Sequence, residues 1–230
     1  MNKGIDISAY QNSIDWDMLS ADFVIVRAGY GKVTSQKDKL FEQHYANAKM
    51  KGIPVGVYWY SYAKTPEEAK QEAEACLEII KGKTFEYPIY FDIEEDSQYK
   101  LGKTAVSAMI KAFCETLEKA GYFAGFYTSA SWYNNVITDE IKQRFTCWIA
   151  HWNVSKPNIN GQYGLWQYKV APVAGISGDV DQDYGIQDFP TLIKNAGLNG
   201  FNKTTPVSKN EIDVTLSVDG KQYKGKLKEV

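Results

Sequence analysis

Eight short apolar runs, most of them separated by helix-patterned segments, constrain this chain more than any other feature. They are GIDIS (4–8), FVIVRAG (23–29), PVGVYWYSYA (54–63), PIYFDIE (88–94), FAGFYTS (123–129), TCWIAHW (146–152), YGLWQY (163–168) and DVDQDY (179–184). Most are rich in the β-branched and aromatic residues of buried strands. KLFEQHYANAKMKG reads as a helix closed by Gly52. TPEEAKQEAEACLEIIKG opens with Thr65 as N-cap, Pro66 at the first helical position and Glu68 completing a capping box. KTAVSAMIKAFCETLEKAG ends at Gly121. Such alternation predicts parallel strands joined by right-handed crossovers. After about residue 145 the connections become too short for full helices. The expected architecture is α/β, an irregular TIM-like (β/α)5(β)3 barrel. An open doubly wound sheet is the alternative.

The barrel is expected to occupy residues 1–200, with DFPTLIKNAG (188–197) as a closing helix. Residues 201–230 differ in character. NKTTPVSKNE is polar and linker-like, and IDVTLSVDGKQYKGKLKEV alternates around Asp219-Gly220, the signal of a β-hairpin. This tail holds six Lys and four acids, so it carries +2 while the rest of the chain carries −4. A two-stranded hairpin is too small to be stable alone. Docking on the barrel, pairing with another chain and leading into a further domain are the roles considered for it.

Composition excludes several function classes. A net charge of −2 gives no electrostatic footprint for a nucleic-acid partner. No apolar run reaches the roughly 20 residues of a membrane helix, so no membrane insertion is expected. Cys76, Cys114 and Cys147 are far apart and form no CxxC pair, which speaks against a disulfide framework or a zinc site. The two histidines are His44, expected on a helix surface, and His151, at the end of a strand run. Acid–base work therefore falls to carboxylates.

Carboxylates and aromatics gather at the strand ends, where parallel barrels place their sites. The strand runs bring Asp6, Arg27, Asp92, Glu94, Asp179, Asp181 and Asp183 there. Tyr58, Tyr60, Tyr62, Tyr127, His151, Trp152, Trp166, Gln167 and Tyr168 surround them. An acidic centre walled by rings suits carbohydrate: carboxylates cleave the glycosidic bond and rings stack on sugar faces. Asp92 and Glu94 stand at i and i+2 of one strand, so they share a face with Tyr90, while Ile89, Phe91 and Ile93 face away. Repulsion between two such acids raises one pKa and keeps a proton available. Glu94, longer by a methylene, is the expected general acid, and Asp92 the anion beside it. A pair on one side of the bond fits substrate-assisted retention, in which the sugar's own 2-acetamido oxygen attacks.

Each residue has a plainer reading. Glu95 and Asp96 read as solvent residues, Asp6 as a loop residue capping a turn, and the strand-three tyrosines as core. Arg27 is either a substrate contact or a buried counter-charge to Asp6 or Asp92. Asp6, Asp92, Glu94 and Asp181 are also chemically able to hold magnesium, but no Gly-rich phosphate loop accompanies them. The reading adopted has no metal and no cofactor.

The ordered set of motifs resembles glycoside hydrolase family 25, the Chalaropsis-type muramidases. GIDIS, IDW (14–16), FVIVRAGYG, PVGVYWYSYA, PIYFDIE, FYTS, WIAHW, LWQY and DVDQDY carry the resemblance, over roughly residues 3–195. Each motif is weak alone, and their order and spacing are specific. The resemblance implies a (β/α)5(β)3 barrel that hydrolyses the β-1,4 bond between N-acetylmuramic acid and N-acetylglucosamine in bacterial peptidoglycan. It implies Glu94 as general acid, Asp92 as its partner, and Asp6 and Asp181 as further acids of the centre. It places Tyr58, Tyr60, Tyr127, Trp152 and Gln167 along the groove, and Asp183 is the polar residue two after the last Asp. A non-catalytic glycan-binding barrel and a hydrolase of a related N-acetylated glycan such as chitin are the alternatives. MNKGIDIS lacks the apolar stretch of a signal peptide. The expected setting is a phage or prophage enzyme held in the cytoplasm until a holin opens the membrane. A secreted chain trimmed of its signal would look the same.

Overall fold

The eight apolar runs become eight strands that pair in sequence order and close on themselves. A computed structural model describes residues 2–202, 211–218 and 221–228. In chain order the elements are β1 (Asn2–Ile7), β2 (Phe23–Tyr30), α1 (Phe41–Met50), β3 (Val55–Tyr60), α2 (Pro66–Ile80) and β4 (Ile89–Asp92). There follow α3 (Asp96–Tyr99), α4 (Gly102–Lys119), β5 (Ala124–Ser129), α5 (Ala130–Val136), α6 (Asp139–Arg144) and β6 (Thr146–Ala150). The barrel ends with β7 (Leu165–Pro172), β8 (Asp179–Gly185) and α7 (Phe189–Ala196). Neighbours from β1 to β7 pair in parallel, whereas β8 runs antiparallel to both β7 and β1. An open doubly wound sheet is thereby ruled out, because β8 pairs with β1 and leaves no free edge.

Strand alternation sorts the core into two layers. Phe23, Ile25, Tyr90, Trp148 and Leu165 of the strands form one buried cluster, joined by Tyr87 and by Phe189 of α7. Val24, Val26, Trp59, Phe91, Met109 and Phe113 belong to another, between barrel and helices. Phe91 stacks on Phe113 of α4 with ring centroids 4.4 Å apart, so the apolar face of β4 does look toward the helical layer. Interior room comes partly from missing side chains. A Cβ at Gly4 would stand 2.3 Å from the Phe23 ring, and one at Gly125 would stand 2.6 Å from the Thr146 carbonyl.

The helix signals hold with local changes. Thr65 caps α2 by accepting the Glu68 N–H at 3.2 Å. The Glu68 carboxylate accepts instead from Lys64 N–H, at 2.7 Å, one residue before the expected partner. The β1–β2 connection carries no helix, and helices fill the four connections from β2 to β6. The β5–β6 connection holds α5 and α6, too short to show an amphipathic period in sequence. His44 is not a surface residue. It is buried, and its Nε2 donates to the Ser8 carbonyl at 3.1 Å, beneath the loop that leaves β1.

The tail strands are β9 (Glu211–Val218) and β10 (Lys221–Lys228), an antiparallel pair that puts Tyr223 opposite Leu216. The turn expected at Asp219-Gly220 lies outside the described residues. Among the described residues no helix is long and apolar enough to cross a membrane.

Candidate active site

A cavity of about 280 Å³ opens where the parallel strands end. Asp6, Asp92, Glu94 and Asp181 line it. Arg27, Tyr58, Tyr60, Tyr127, Trp152 and Gln167, all anticipated from the sequence, complete most of the wall. Asp183 is the exception. It has no exposed surface and lies outside the lining. The direction of β8 explains this. Because β8 is antiparallel to β1, Asp181 stands opposite Asp6 near the mouth, and Asp183 stands opposite Gly4, deeper in the barrel. Sequence alone treats all eight strands as pointing the same way, which puts the wrong end of β8 at the mouth.

β4 delivers the central pair. Asp92 is its last residue, paired across to Tyr60 and Tyr127. The Ile93 N–H bonds the Tyr127 carbonyl at 3.2 Å and extends the alternation one step beyond the strand. Glu94 therefore returns to the inward face at the rim, where it keeps access to solvent although protein surrounds most of its carboxyl, while Asp92 is buried. Asp92 Oδ1 has no hydrogen-bond partner among the described residues.

Gln167 organises the opposite side. Its Nε2 donates to Asp6 Oδ2 at 2.9 Å, and its Oε1 accepts from Tyr127 Oη and Trp152 Nε1, both at 3.0 Å. These three bonds fix which way the amide faces. Below it, Trp148 is an interior pillar. Its ring packs against Tyr58, Tyr90 and Tyr127 at centroid distances of 6.0, 5.4 and 4.6 Å. Its Nε1 donates to Asp183 Oδ1 at 2.7 Å. Trp148 also reaches the cavity lining, a position that the WIAHW motif offered and sequence reasoning passed over.

Two further acids acquire partners invisible in the sequence. Arg27 pairs with buried Asp38 through Nε at 2.8 Å, not with Asp6 or Asp92. Glu95 is not a plain solvent residue. It is half-buried and accepts the Tyr60 hydroxyl at 2.6 Å. Asp96 is exposed, as expected.

The cluster is strained electrostatically. Burial pushes Asp6 well above the usual carboxylate range, with Asp183 and Asp181 adding repulsion and the Gln167 bond opposing it. Burial and then Glu94 push Asp92 well up, against the pull of Arg27. Burial, then Glu95 and Asp181, raise Glu94. Asp181 rises by burial, and Asp183 rises well up for the same reason despite the Trp148 bond. Several carboxyls confined near one guanidinium cannot all ionise at neutral pH, so the site holds protons ready for transfer. Among the described residues no His, Cys, Asp and Glu group has the arrangement of a metal site.

A second cavity, of about 460 Å³, adjoins the first. Glu94, Tyr127 and Trp152 line both, so they form the seam of one groove. Its far wall includes Ser129, Asn134, His151 and Asn158. The Nδ1 of His151 accepts the Asn158 N–H at 3.1 Å, which turns the other ring nitrogen into a donor.

The model of the family described as "Glycosyl hydrolases family 25" matches residues 5–175. The "Autolytic lysozyme" of Clostridium acetobutylicum is 30% identical in an alignment of 205 residues that covers 86% of this chain and 61% of that protein. The crystal structure of the bacterial lysozyme from Streptomyces coelicolor superposes with a TM-score of 0.72 at 27% identity, covering 85% of this chain and 96% of that one. The modular autolysin LytC of Streptococcus pneumoniae, in complex with a synthetic peptidoglycan ligand, superposes with a TM-score of 0.70 at 28% identity. There the match covers 79% of this chain and 46% of LytC. This chain thus spans less than two thirds of the clostridial lysozyme and under half of LytC.

Proposed function

The chain belongs to glycosyl hydrolase family 25, and on that premise we propose that it is an N-acetylmuramidase. It cleaves the β-1,4 bond between N-acetylmuramic acid and N-acetylglucosamine in peptidoglycan, with retention and with assistance from the substrate's 2-acetamido group. The observation that carries this reading is the position of Glu94 at the seam between two adjoining cavities. A general acid for glycosidic cleavage must stand between the sugar that is attacked and the sugar that leaves.

In this reading the groove takes one sugar on each side of Glu94. Glu94, its proton held by burial and by the negative charge of Glu95, protonates the leaving oxygen. Asp92 Oδ1, buried and unpartnered among the described residues, accepts the N–H of the 2-acetamido group and turns its carbonyl oxygen toward the anomeric carbon. The acetamido oxygen then closes on that carbon as the glycosidic bond breaks, and a water that gives its proton back to Glu94 opens the new ring at the same carbon, which yields the retained product. Arg27 favours the charged form of Asp92, which the developing positive ring needs. Asp6, held by Gln167, and Asp181 add negative field to the same pocket. Tyr58, Tyr60, Tyr127 and Trp152 supply ring faces and hydroxyls for the sugars. The catalytic unit is residues 1–200, and the strand pair β9–β10 engages the wall or a second copy.

The test is clearing of purified cell walls by wild type and Glu94→Gln, with the new reducing ends identified by mass spectrometry. Muramic acid at the new ends, with clearing lost in Glu94→Gln, is the expected result. Glucosamine at the new ends would sink the muramidase assignment. Tight wall binding without cleavage would make the groove a binding module.

A further inference from the structure

Beside the acidic cavity lies a third one of opposite charge. Its volume is about 290 Å³, and Tyr10 and Arg27 form the wall it shares with the acidic cavity. Its other walls bring Tyr30, Lys37 and Lys39. Asp38 also lines it, but that carboxylate is buried and already accepts three hydrogen bonds. It accepts from Arg27 Nε at 2.8 Å and from the backbone N–H groups of Ala9 and Leu40 at 3.0 and 2.9 Å.

The three cations are differently engaged. Arg27 uses only Nε, so its two terminal nitrogens have no hydrogen-bond partner among the described residues. Its guanidinium carbon lies 5.2 Å from the centroid of the exposed Tyr10 ring, which holds the fork in the shared wall. Lys39 is exposed and has no carboxylate within ion-pair distance among the described residues. Lys37 pairs with exposed Glu42 at 2.8 Å, a contact that an incoming anion can replace at little cost.

This arrangement solves a problem that the acidic cavity creates. Muramic acid carries a peptide on its lactyl group, and that peptide bears carboxylates. Close to Asp6, Asp92, Glu94 and Asp181, such a substituent is repelled unless a positive surface lies directly beside the sugar site. A neutral glycan such as chitin gains nothing from that surface. We infer that this basic cavity, floored by Arg27 and flanked by Lys37 and Lys39, binds the carboxylates of the stem peptide on the muramic acid being cleaved. The inference rests on the muramidase reading and adds the substituent that the enzyme recognises.

The test uses one peptidoglycan prepared in three ways: intact, freed of stem peptides with an amidase, and freed of wall phosphate polymers with hydrofluoric acid. Initial rates give kcat/KM for wild type, Lys39→Glu and Lys39→Arg on each. Lys39→Glu should lower the ratio of intact to peptide-free kcat/KM roughly fivefold, the size of an exposed charge effect. Lys39→Arg should preserve the ratio, and removal of phosphate polymers should leave it as for intact walls. A ratio insensitive to Lys39→Glu, while wild type cleaves all three preparations, overturns the inference and spares the muramidase reading. An effect that disappears with the phosphate polymers instead of the peptides assigns the cavity to phosphate and also overturns it. Failure of wild type on all three preparations overturns the muramidase reading itself.

Discussion

Gln167 donates its side-chain N–H to Asp6 at 2.9 Å, across 161 residues of sequence. The same amide accepts from Tyr127 and Trp152, so one side chain ties β1, β5, β7 and the aromatic rim together. Replacing it with Leu leaves one acceptor and two donors without this partner. The expected cost is roughly 2 kcal/mol or more in stability, and at least a tenfold loss in kcat/KM. Gln167→Glu is the sharper variant. It places a second carboxyl against Asp6, so one of the two must stay protonated. The variant should approach wild-type stability at acid pH and lose stability as pH rises. Thermal melts between pH 4.5 and 8.5 would show this, and a pH-independent difference from wild type would contradict it.

Glu95 sets the proton affinity of Glu94. Its negative charge is the second cause, after burial, that raises the Glu94 carboxyl. A general acid works only while protonated, so activity is lost as pH rises through that raised pKa. Glu95→Gln removes the charge but keeps an oxygen to accept the Tyr60 hydroxyl. The alkaline limb of kcat/KM should therefore move to lower pH, with the plateau largely kept. An unmoved limb would mean that another group carries it.

Those two relationships mark the limit of what the sequence reveals. The strands were legible because buried strands read as apolar runs, and α2 because Thr65 and Pro66 announce its start. Asp92 and Glu94 were legible because two acids at i and i+2 have no place on a fully buried strand. The reversed direction of β8 was not, since period-two alternation reads alike in both directions. Nor were the partnerships Arg27–Asp38, Trp148–Asp183 and Tyr60–Glu95, or the burial of His44. All depend on which strand ends and loops meet, and local pattern carries no record of that.

Asp183 tests the reversed strand. It is buried beneath the cavity, bonded to Trp148, and raises Asp6 by repulsion. Both carboxyls have raised folded pKa values, so the stability they contribute is fully present at low pH and is lost as pH rises through those values. Asp183→Asn keeps an acceptor for Trp148 and removes one of the two charges. Its stability relative to wild type should therefore increase with pH, as urea midpoints at pH 5 and pH 8.5 would record. Its KM should change less than its kcat, because Asp183 does not reach the cavity lining. A variant defective chiefly in KM would place Asp183 against substrate.

Glu72 gives the last prediction, through a network outside the groove. It is fully buried in α2, where its Oε1 accepts the Tyr62 N–H at 2.9 Å and its Oε2 has no partner among the described residues. The neighbouring Ser61 N–H bonds the Asp92 carbonyl at 2.9 Å, and Gln98 Nε2 holds Ser61 Oγ and the Ala63 carbonyl. Burial pushes Glu72 up to about 7. In the unfolded chain a glutamate titrates near 4.3, so folding favours the protonated form. Its contribution to stability is fully present below about 4.3 and declines as pH rises toward about 7, by roughly 4 kcal/mol in total. Glu72→Gln mimics the protonated state at every pH. It should match wild type near pH 4 and exceed it above pH 7, by on the order of 8–15 °C in Tm for a chain of this size. A Tm difference that stays constant from pH 4 to pH 8.5 would show that Glu72 does not titrate in the fold.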